Sequence, residues 1–429
     1  MKTVVIVGGG AGGLELATRL GNKLGKRGLA KVVLVDKNRT HLWKPLLHEL
    51  AAGALDLSTD GVDYRAHARR HHYQFQFGEM VNMDNEAKTI ALTAFHDEQG
   101  QLILPERTLS YDTLVMAVGS VSNDFGTPGV KDNCYFLDSH VQAQRFHHDL
   151  LDQFMRVHEP NMASSLKLAI VGAGATGVEL SAELCHVAEL MKMYDLDSAE
   201  GTPPKLTLIE AGPRILPALP EKIAESAQSA LEKLGVRVLV DTRVTEANAK
   251  GFITDDGSQI EADITVWAAG VKAPDFVKVL SCFETNRAGQ IIVKPTLQSS
   301  QDDSVYVIGD CCAFEQADGS WVPPRAQSAH QMASLCGKNI IAESKAKSLR
   351  EFTYTDYGSL VNLSRYGTVG SLMGSLAKGS LFIEGQLARL VYISLYRMHQ
   401  IAIHGWLGGV AVYLAHKVAN TVKPKLKLH

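Results

Sequence analysis

What is scarce in this sequence narrows its class before any motif is read. Six cysteines are spread over 429 residues, at 134, 185, 282, 311, 312 and 336, with no C-x-x-C pair and no repeated metal-ligand spacing. That pattern excludes a disulfide framework and argues against a zinc site, so no metal is expected. Uninterrupted apolar runs of polytopic membrane type are missing as well. Hydrophobic residues at 45% and charged residues at 21% exclude a disordered or collagen-like chain. Acidic residues are absent from one region only: residues 385–429 hold six Lys or Arg and no Asp or Glu. Since the whole chain has 43 basic and 46 acidic residues, the first 384 carry 37 minus 46, or −9. An acidic body with a basic, apolar tail predicts a tail that meets something anionic. Nucleic acid is not among the expected partners.

The chain length predicts two or three domains at roughly 100 to 200 residues each. An apolar run from Thr3 enters a glycine motif by Gly8, which leaves no room for a removable targeting peptide. Short Val/Ile/Leu runs then alternate with helical patterns: strand 3–7, helix 12–25, strand 31–36. This is a β-α-β unit of a buried parallel sheet. The same order returns at 167–171, 175–192 and 205–210, so two nucleotide-binding domains are expected. Residues 159–165 read as a linker and 193–204 as a polar loop.

Gly8-Gly9-Gly10-Ala11-Gly12-Gly13 satisfies G-x-G-x-x-G after the first strand, and Asp36 closes the next strand 23 residues past Gly13. The first glycine permits the tight turn, the second lets backbone approach a pyrophosphate, and the third allows close helix–strand packing. The helix N-terminus attracts the anion, and the acid accepts hydrogen bonds from a ribose. Gly172-Ala173-Gly174-Ala175-Thr176-Gly177 repeats the motif. Its acid is Glu210, 33 residues past Gly177, the excess being taken up by the polar loop. A carboxylate at that position favours NADH over NADPH; Arg214 nearby is the counter-evidence, with a solvated loop charge as its plainer role. Two nucleotide sites in one chain pair naturally as NADH, the substrate, and non-covalent FAD at the first motif.

Seven segments in order now resemble one family, the type II NADH:quinone oxidoreductases within the two-dinucleotide-binding-domain flavoproteins. They are VVIVGGGAGGLELA at 4–17, HLWKPLLHELAAG at 41–53, YDTLVMAVGS at 111–120, AIVGAGATGVELSAEL at 169–184, VWAAG at 266–270, YVIGDC at 306–311 and PPRAQSAHQM at 323–332. The resemblance implies an α/β fold with two Rossmann-like domains in a glutathione reductase-like arrangement, plus a C-terminal amphipathic helical membrane-anchoring module. FAD would be held by residues 1–145 and 285–355, NADH by 146–284, and the membrane by 356–429. It places Gly309, Asp310 and Lys44 at the flavin and Gly119 and Gly270 at the interdomain crossovers.

By the same resemblance Glu179 lies near nicotinamide and flavin, while Glu183, one turn on, is structural. Gln327 and Gln331 share a helix face with small Ala326 and Ala329 beside them, which would let a flat ring approach. Glutamine amides donate to quinone carbonyls without bringing charge into an apolar site; water-facing glutamines are the plain alternative. His330 between them reads as a local hydrogen-bonding or core residue. Lys378 is assigned to a loop before the membrane module, as a solvated charge. The loop after the first β-α-β unit has no cysteine, which argues against disulfide reduction, and Cys311-Cys312 read as packing residues.

From 386 to 404 an amphipathic helix is expected, with Leu387, Leu390, Val391, Leu395, Met398 and Ala402 on one face and Arg389, Tyr396, Arg397, Gln400 and His404 opposite. Residues 405–415 are apolar, and Lys417, Lys423, Lys425 and Lys427 follow. An interfacial helix pair at anionic headgroups is expected rather than a span. The implied protein oxidises NADH and reduces a membrane quinone, ubiquinone or menaquinone, without pumping protons. It would lie peripherally on the cytoplasmic face of the bacterial inner membrane, compatible with a homodimer. The rivals are a soluble NADH-dependent flavin or ferredoxin reductase-like enzyme and a redox-dependent binding flavoprotein.

Overall fold

The first strand, Lys2–Val7, is a run of β-branched residues buried along its last four positions. Such a run suits an interior strand covered on both faces. In the computed structural model, which describes residues 1–159, 165–194, 202–374 and 377–422, it is the centre of a five-stranded parallel sheet. Ala30–Asp36 and Gln74–Phe77 lie to one side, Thr113–Met116 and Val305–Val307 to the other. The last of these strands comes from far down the chain. Everything between Met116 and Val305 is therefore inserted into this sheet's connectivity.

The insertion holds a second parallel sheet in the order Arg237–Leu239, Lys205–Ile209, Lys167–Val171, Ile264–Trp267. Each sheet's central strand feeds a helix through its glycine motif: Ala11–Lys23 after the first, Ala175–Met193 after the second. Entry to and exit from the insertion lie side by side, because Val121–Ser122 pairs antiparallel with Val271–Lys272. The linker and the polar loop expected at 159–165 and 193–204 fall largely outside the described residues.

Two main cores follow from this. One gathers Ile6, Leu14, Leu34, Met116 and Tyr306 around the first sheet. The other joins Ile170, Val178 and Leu180 of the second unit to Trp43, Leu46, Leu47 and Leu50. The segment Trp43–Leu50 thus leaves the first sheet and packs with the second unit. At roughly 1.5–3 kcal/mol for each large apolar side chain buried, this apolar packing fixes where the segment lies between the two.

The C-terminal part is an antiparallel meander, Gly358–Asn362, Thr368–Gly374 and Ala377–Glu384, followed by the helix Gly385–Val422. Lys378 lies in the last strand rather than in a loop; its side chain is outside the described residues. The helix breaks at Gly405, whose φ of 75° and ψ of 169° interrupt the hydrogen-bond ladder, so two segments meet there. Its outer face carries exposed Ile393, Met398, Ile401, Trp406 and Leu407. Its buried face carries Ala388, His399, Gln400 and Ile403. The docking face is therefore mixed rather than apolar: of the foreseen polar side Gln400 is buried and Arg389 is exposed, while of the foreseen apolar side Leu395 packs on the core and Met398 is exposed. Leu387, Leu390 and Lys417 have side chains outside the described set, as do Lys423, Lys425 and Lys427 entirely. Among the described residues no helix is long and apolar enough to cross a membrane.

Candidate functional site

The two glycine motifs fold into matching cradles. A Cβ on Gly8, at φ +102°, would sit 2.2 Å from the Ala117 carbonyl oxygen, and one on Gly13 would sit 1.8 Å from the Gly8 carbonyl oxygen. Gly172 and Gly177 are enclosed in the same way, with closest approaches of 2.6 and 2.0 Å. The middle glycines differ. Around the Cβ position of Gly10 and of Gly174 nothing lies within 4 Å. The outer glycines are dictated by backbone contact, and the middle ones border open space.

That space lies at the N-terminus of each helix, Gly10 before Ala11 and Gly174 before Ala175, and neither helix has a capping side chain or an acid in its first turn. Unsatisfied N–H groups there suit a pyrophosphate. The acids also correspond. Asp36 accepts a hydrogen bond from the Gly9 N–H at 2.6 Å, and Glu210 accepts one from the Ala173 N–H at 2.9 Å. Burial pushes the Asp36 carboxyl up despite its hydrogen bonds from Gly9 and Asn38. Both cradles therefore fit a dinucleotide. Arg214 is not a free loop charge: its guanidinium donates to the carbonyls of Leu219 at 2.8 Å and Pro217 at 3.0 Å.

A polar bridge joins the remaining expected flavin residues. Lys44 Nζ donates to the Ser120 carbonyl at 2.8 Å, and Ser120 Oγ donates to Asp310 Oδ2 at 2.7 Å. The turn positions Gly119, Gly270 and Gly309 have φ of +70°, +89° and +76°, which only glycine adopts at little cost. Cys311 and Cys312 are buried free thiols, and burial pushes Cys311 up to about 12, far from a reactive thiolate.

Gln327 and Gln331 lie on one face of the helix Ala326–Glu343, but their amides hold backbone. Gln331 donates to the Thr355 carbonyl at 2.8 Å and accepts from the Thr355 N–H at 3.0 Å. Gln327 donates to the Gly358 carbonyl at 3.1 Å and accepts from the Tyr357 N–H at 3.3 Å. Ala329 is packed beneath the first glycine helix, its carbonyl oxygen 3.2 Å from the Cβ position of Gly12. The glutamines thus fasten residues 355–358, the approach to the meander.

Glu179 is buried, accepts from the Asn362 N–H at 2.9 Å, and lies 3.7 Å from His48 Nδ1. Burial, with Glu49 and Glu183 nearby, pushes its carboxyl up to about 8. Glu183 is buried and hydrogen bonded to Ser364. The sequence does not single out His48 and Glu49, although HELAAG stands directly after KPLL; nothing in their spacing separates them from an amphipathic turn.

A second polar network also lay beyond sequence reasoning. Glu15 sits in the first glycine helix. Its Oε2 lies 2.6 Å from His330 Nδ1 and its Oε1 2.7 Å from His399 Nδ1. His399 Nε2 is 2.9 Å from His41 Nε2, and His41 Nδ1 is 2.8 Å from the Gly9 carbonyl oxygen. That carbonyl can only accept, so His41 carries hydrogen on Nδ1 and receives the His399 N–H on Nε2. His330 is raised by its bond to Glu15, while burial sends His41 well down. One chain of polar groups therefore ties the C-terminal helix to the first cradle.

Residues 2–333 match the model of the pyridine nucleotide-disulphide oxidoreductase family. A type II NADH:quinone oxidoreductase of Haemophilus influenzae is 47% identical over 444 aligned residues, covering 100% of this chain and 100% of its own. The chain belongs to the type II NADH:quinone oxidoreductases. A type II NADH:quinone oxidoreductase from Staphylococcus aureus is 31% identical, over 88% of this chain and 91% of its own. The structure of NDH2 from Plasmodium falciparum in complex with NADH superposes with a TM-score of 0.81 at 18% identity, over 99% and 100% of the two chains, which shows the shared fold. In this type II NADH:quinone oxidoreductase the two cradles, the Lys44–Ser120–Asp310 bridge and the buried Glu179 are the parts on which a functional reading can be built.

Proposed function

We propose that the chain takes hydride from NADH onto non-covalent FAD and reduces a membrane quinone, ubiquinone or menaquinone, without pumping protons. The observation that carries this reading is the pair of matching cradles, each with open space at its middle glycine and an acid at its second strand. FAD belongs in the first, held by Gly8, Gly10, Ala11, Gly13 and Asp36, with Lys44, Gly119, Gly309 and Asp310 beyond. NADH belongs in the second, at Gly172, Gly174, Gly177 and Glu210, with Gly270 at the crossover. When bound, the flavin accepts a hydride and passes two electrons onward.

The chain's residues do the rest. Each helix N-terminus neutralises a pyrophosphate. Asp36 and Glu210 orient ribose hydroxyls, and Glu210 disfavours a 2′-phosphate. Arg214 is spent on loop carbonyls and does not offset it. Glu179 sits on the nicotinamide side as a neutral carboxyl at physiological pH. The division we adopt is residues 1–145 and 285–355 for FAD, 146–284 for NADH and 356–429 for the membrane.

The C-terminal helix supports membrane contact because it leaves large apolar side chains uncovered, Trp406 and Leu407 being 69% and 78% exposed. Large exposed apolar side chains set contiguously mark a partner or lipid surface. We place this surface on the cytoplasmic face of a bacterial inner membrane. Lipid-dissolved quinone then meets the flavin without the flavoprotein leaving water.

The testing experiment is purified full-length protein in liposomes with a ubiquinone or menaquinone analogue. Expected are a flavin spectrum, bleaching by NADH, and steady NADH oxidation only when quinone is present. Removal of residues 386–429 should release the protein from sedimenting vesicles; retention would refute the membrane assignment. Gln331→Ala should slow quinone reduction, because the two hydrogen bonds that hold Thr355 against this helix are lost. Flavin bleaching by NADH, followed by stopped flow, should change little, and equal loss of both half-reactions would refute the role given to this helix.

A further inference from the structure

Three carboxylates from different parts of the chain meet where the two nucleotide units and the C-terminal helix converge. Glu49 comes from the short helix Leu47–Ala51, and Glu179 and Glu183 from the helix Ala175–Met193. Tyr392 of the C-terminal helix faces all three. Carboxylates clustered this way repel one another when charged. Something must make the arrangement useful, and His48 indicates what.

His48 is 3% exposed and hydrogen bonded to the Pro45 carbonyl, while its Nε2 has no partner. A carbonyl only accepts, so the nitrogen facing Pro45 carries the hydrogen and Nε2 presents a bare lone pair. That lone pair lies 4.0 Å from Glu49 Oε1. Burial drives His48 down to about 4, so it stays neutral. An unpaired acceptor therefore stands beside an acid, deep in the protein, where an unsatisfied polar atom is costly. Such a pair accommodates a proton.

The established reaction needs one. NADH + H⁺ + quinone gives NAD⁺ + quinol. The C4–H bond of NADH breaks with its electron pair, which accounts for both electrons and one of the two hydrogens of quinol; a bound flavin would supply the relay. The second quinol O–H bond requires a proton drawn from water. Resting on the functional reading above, we propose that Glu49, backed by the free Nε2 of His48, holds that proton and delivers it to the quinone oxygen. The Glu49 O–H bond breaks as the quinol O–H bond forms, and the carboxylate is reprotonated from solvent.

The surroundings suit both halves of this cycle. The Glu49 side chain keeps 25% of its surface accessible, so water reaches it. Dense protein around it, then Glu183 and Asp60, push its carboxyl up to about 8, with Arg389 partly opposing them. The acid is therefore loaded at neutral pH. After the proton leaves, Arg389 limits the cost of the charge. Glu179, also pushed up to about 8, stands on the nicotinamide side; Glu49 is the member of the cluster that the other partners leave free.

The test uses FAD-loaded full-length protein, reduced anaerobically with one equivalent of NADH and mixed with ubiquinone-1 in weak buffer containing a pH-indicator dye. In wild type, quinol should form before the dye registers proton uptake. In Glu49→Gln, quinol formation should slow by roughly a hundredfold, the scale of general acid catalysis, and the two signals should coincide. An independent readout is the infrared carbonyl band of a protonated carboxyl in the oxidised protein, titrating near pH 8 and diminished in Glu49→Gln. Should that variant not fold, Glu179→Gln isolates the remaining band, and its absence at pH 7 would overturn the proposal. Unchanged quinol rate and lag in Glu49→Gln would overturn it too, leaving the quinone reductase reading standing. Failure of wild type itself to form quinol would remove both.

Discussion

Replacing Gly10 with valine should give a folded but colourless protein, with flavin occupancy at least tenfold below wild type. The Gly10 backbone is extended, at φ −63° and ψ −171°, so a β-branched residue meets no strain there. No protein atom lies within 4 Å of the Cβ position, so the fold itself has no cause to object. What the side chain would fill is the space before an uncapped helix N-terminus, where a pyrophosphate must approach the backbone. Visible absorbance per mole of protein, together with thermal unfolding of the stripped protein, checks this. The control is Gly13→Ala. There the new methyl would sit 1.8 Å from the Gly8 carbonyl oxygen, and backbone must move. That variant should lose stability whether or not flavin is present, while Gly10→Val should lose only the ligand's share. Yellow Gly10→Val protein would show that the first cradle does not hold a dinucleotide.

Glu179→Gln should stabilise the flavin-free protein in alkaline buffer and do little in acid. The sign follows from the direction of the shift. Burial raises the folded-state carboxyl from 4.5 to about 8, so the folded state binds the proton more tightly than the unfolded one. Its contribution to stability is fully present below about pH 4.5 and is lost as pH rises through 8. Glutamine never ionises and escapes the loss. At pH 9 the gain should be on the order of 2–4 kcal/mol, allowing for relaxation and for the Asn362 N–H that favours the charged form. For a chain of this size that is several degrees in melting temperature. The measurement is a pair of denaturation curves at pH 5.5 and pH 9. A variant that is equally destabilised at both would show that Glu179 is charged in the folded protein. In the loaded protein the same change should reduce turnover through hydride transfer from NADH.

The parts of this molecule that could be read in its sequence are those whose physics is local. A β-branched run, a glycine triplet and a terminal acid specify a cradle within some forty residues, and the structure adds only that Asp36 and Glu210 each reach back to the second residue of their own motif. Strand and helix bounds at 2–36 and 167–209 differ from expectation by one or two residues for the same reason. The glutamine pair was legible as a shared helix face, but not that its amides would be occupied by the backbone at 355–358, which depends on tertiary packing. His48 and Glu49 were invisible because their partners come from residues 179, 183 and 392. The Glu15–His399 contact joins residues 384 apart, and no periodicity carries such information. The C-terminal helix shows the same limit from another direction. An amphipathic pattern can be drawn on it, but the residues that face the protein, His399, Gln400 and Ile403 among them, cut across that pattern, because they are set by partners the helix does not itself contain.

Val121–Ser122 and Val271–Lys272 form a two-stranded ribbon. Because the chain departs and returns at neighbouring points, the whole intervening unit is a guest with both ends at one doorway. Excised and replaced by a short turn, it would leave the host sheet's five strands uninterrupted. Ancestrally or in the laboratory, such a layout lets one compartment be exchanged for another without rewriting the scaffold that receives it.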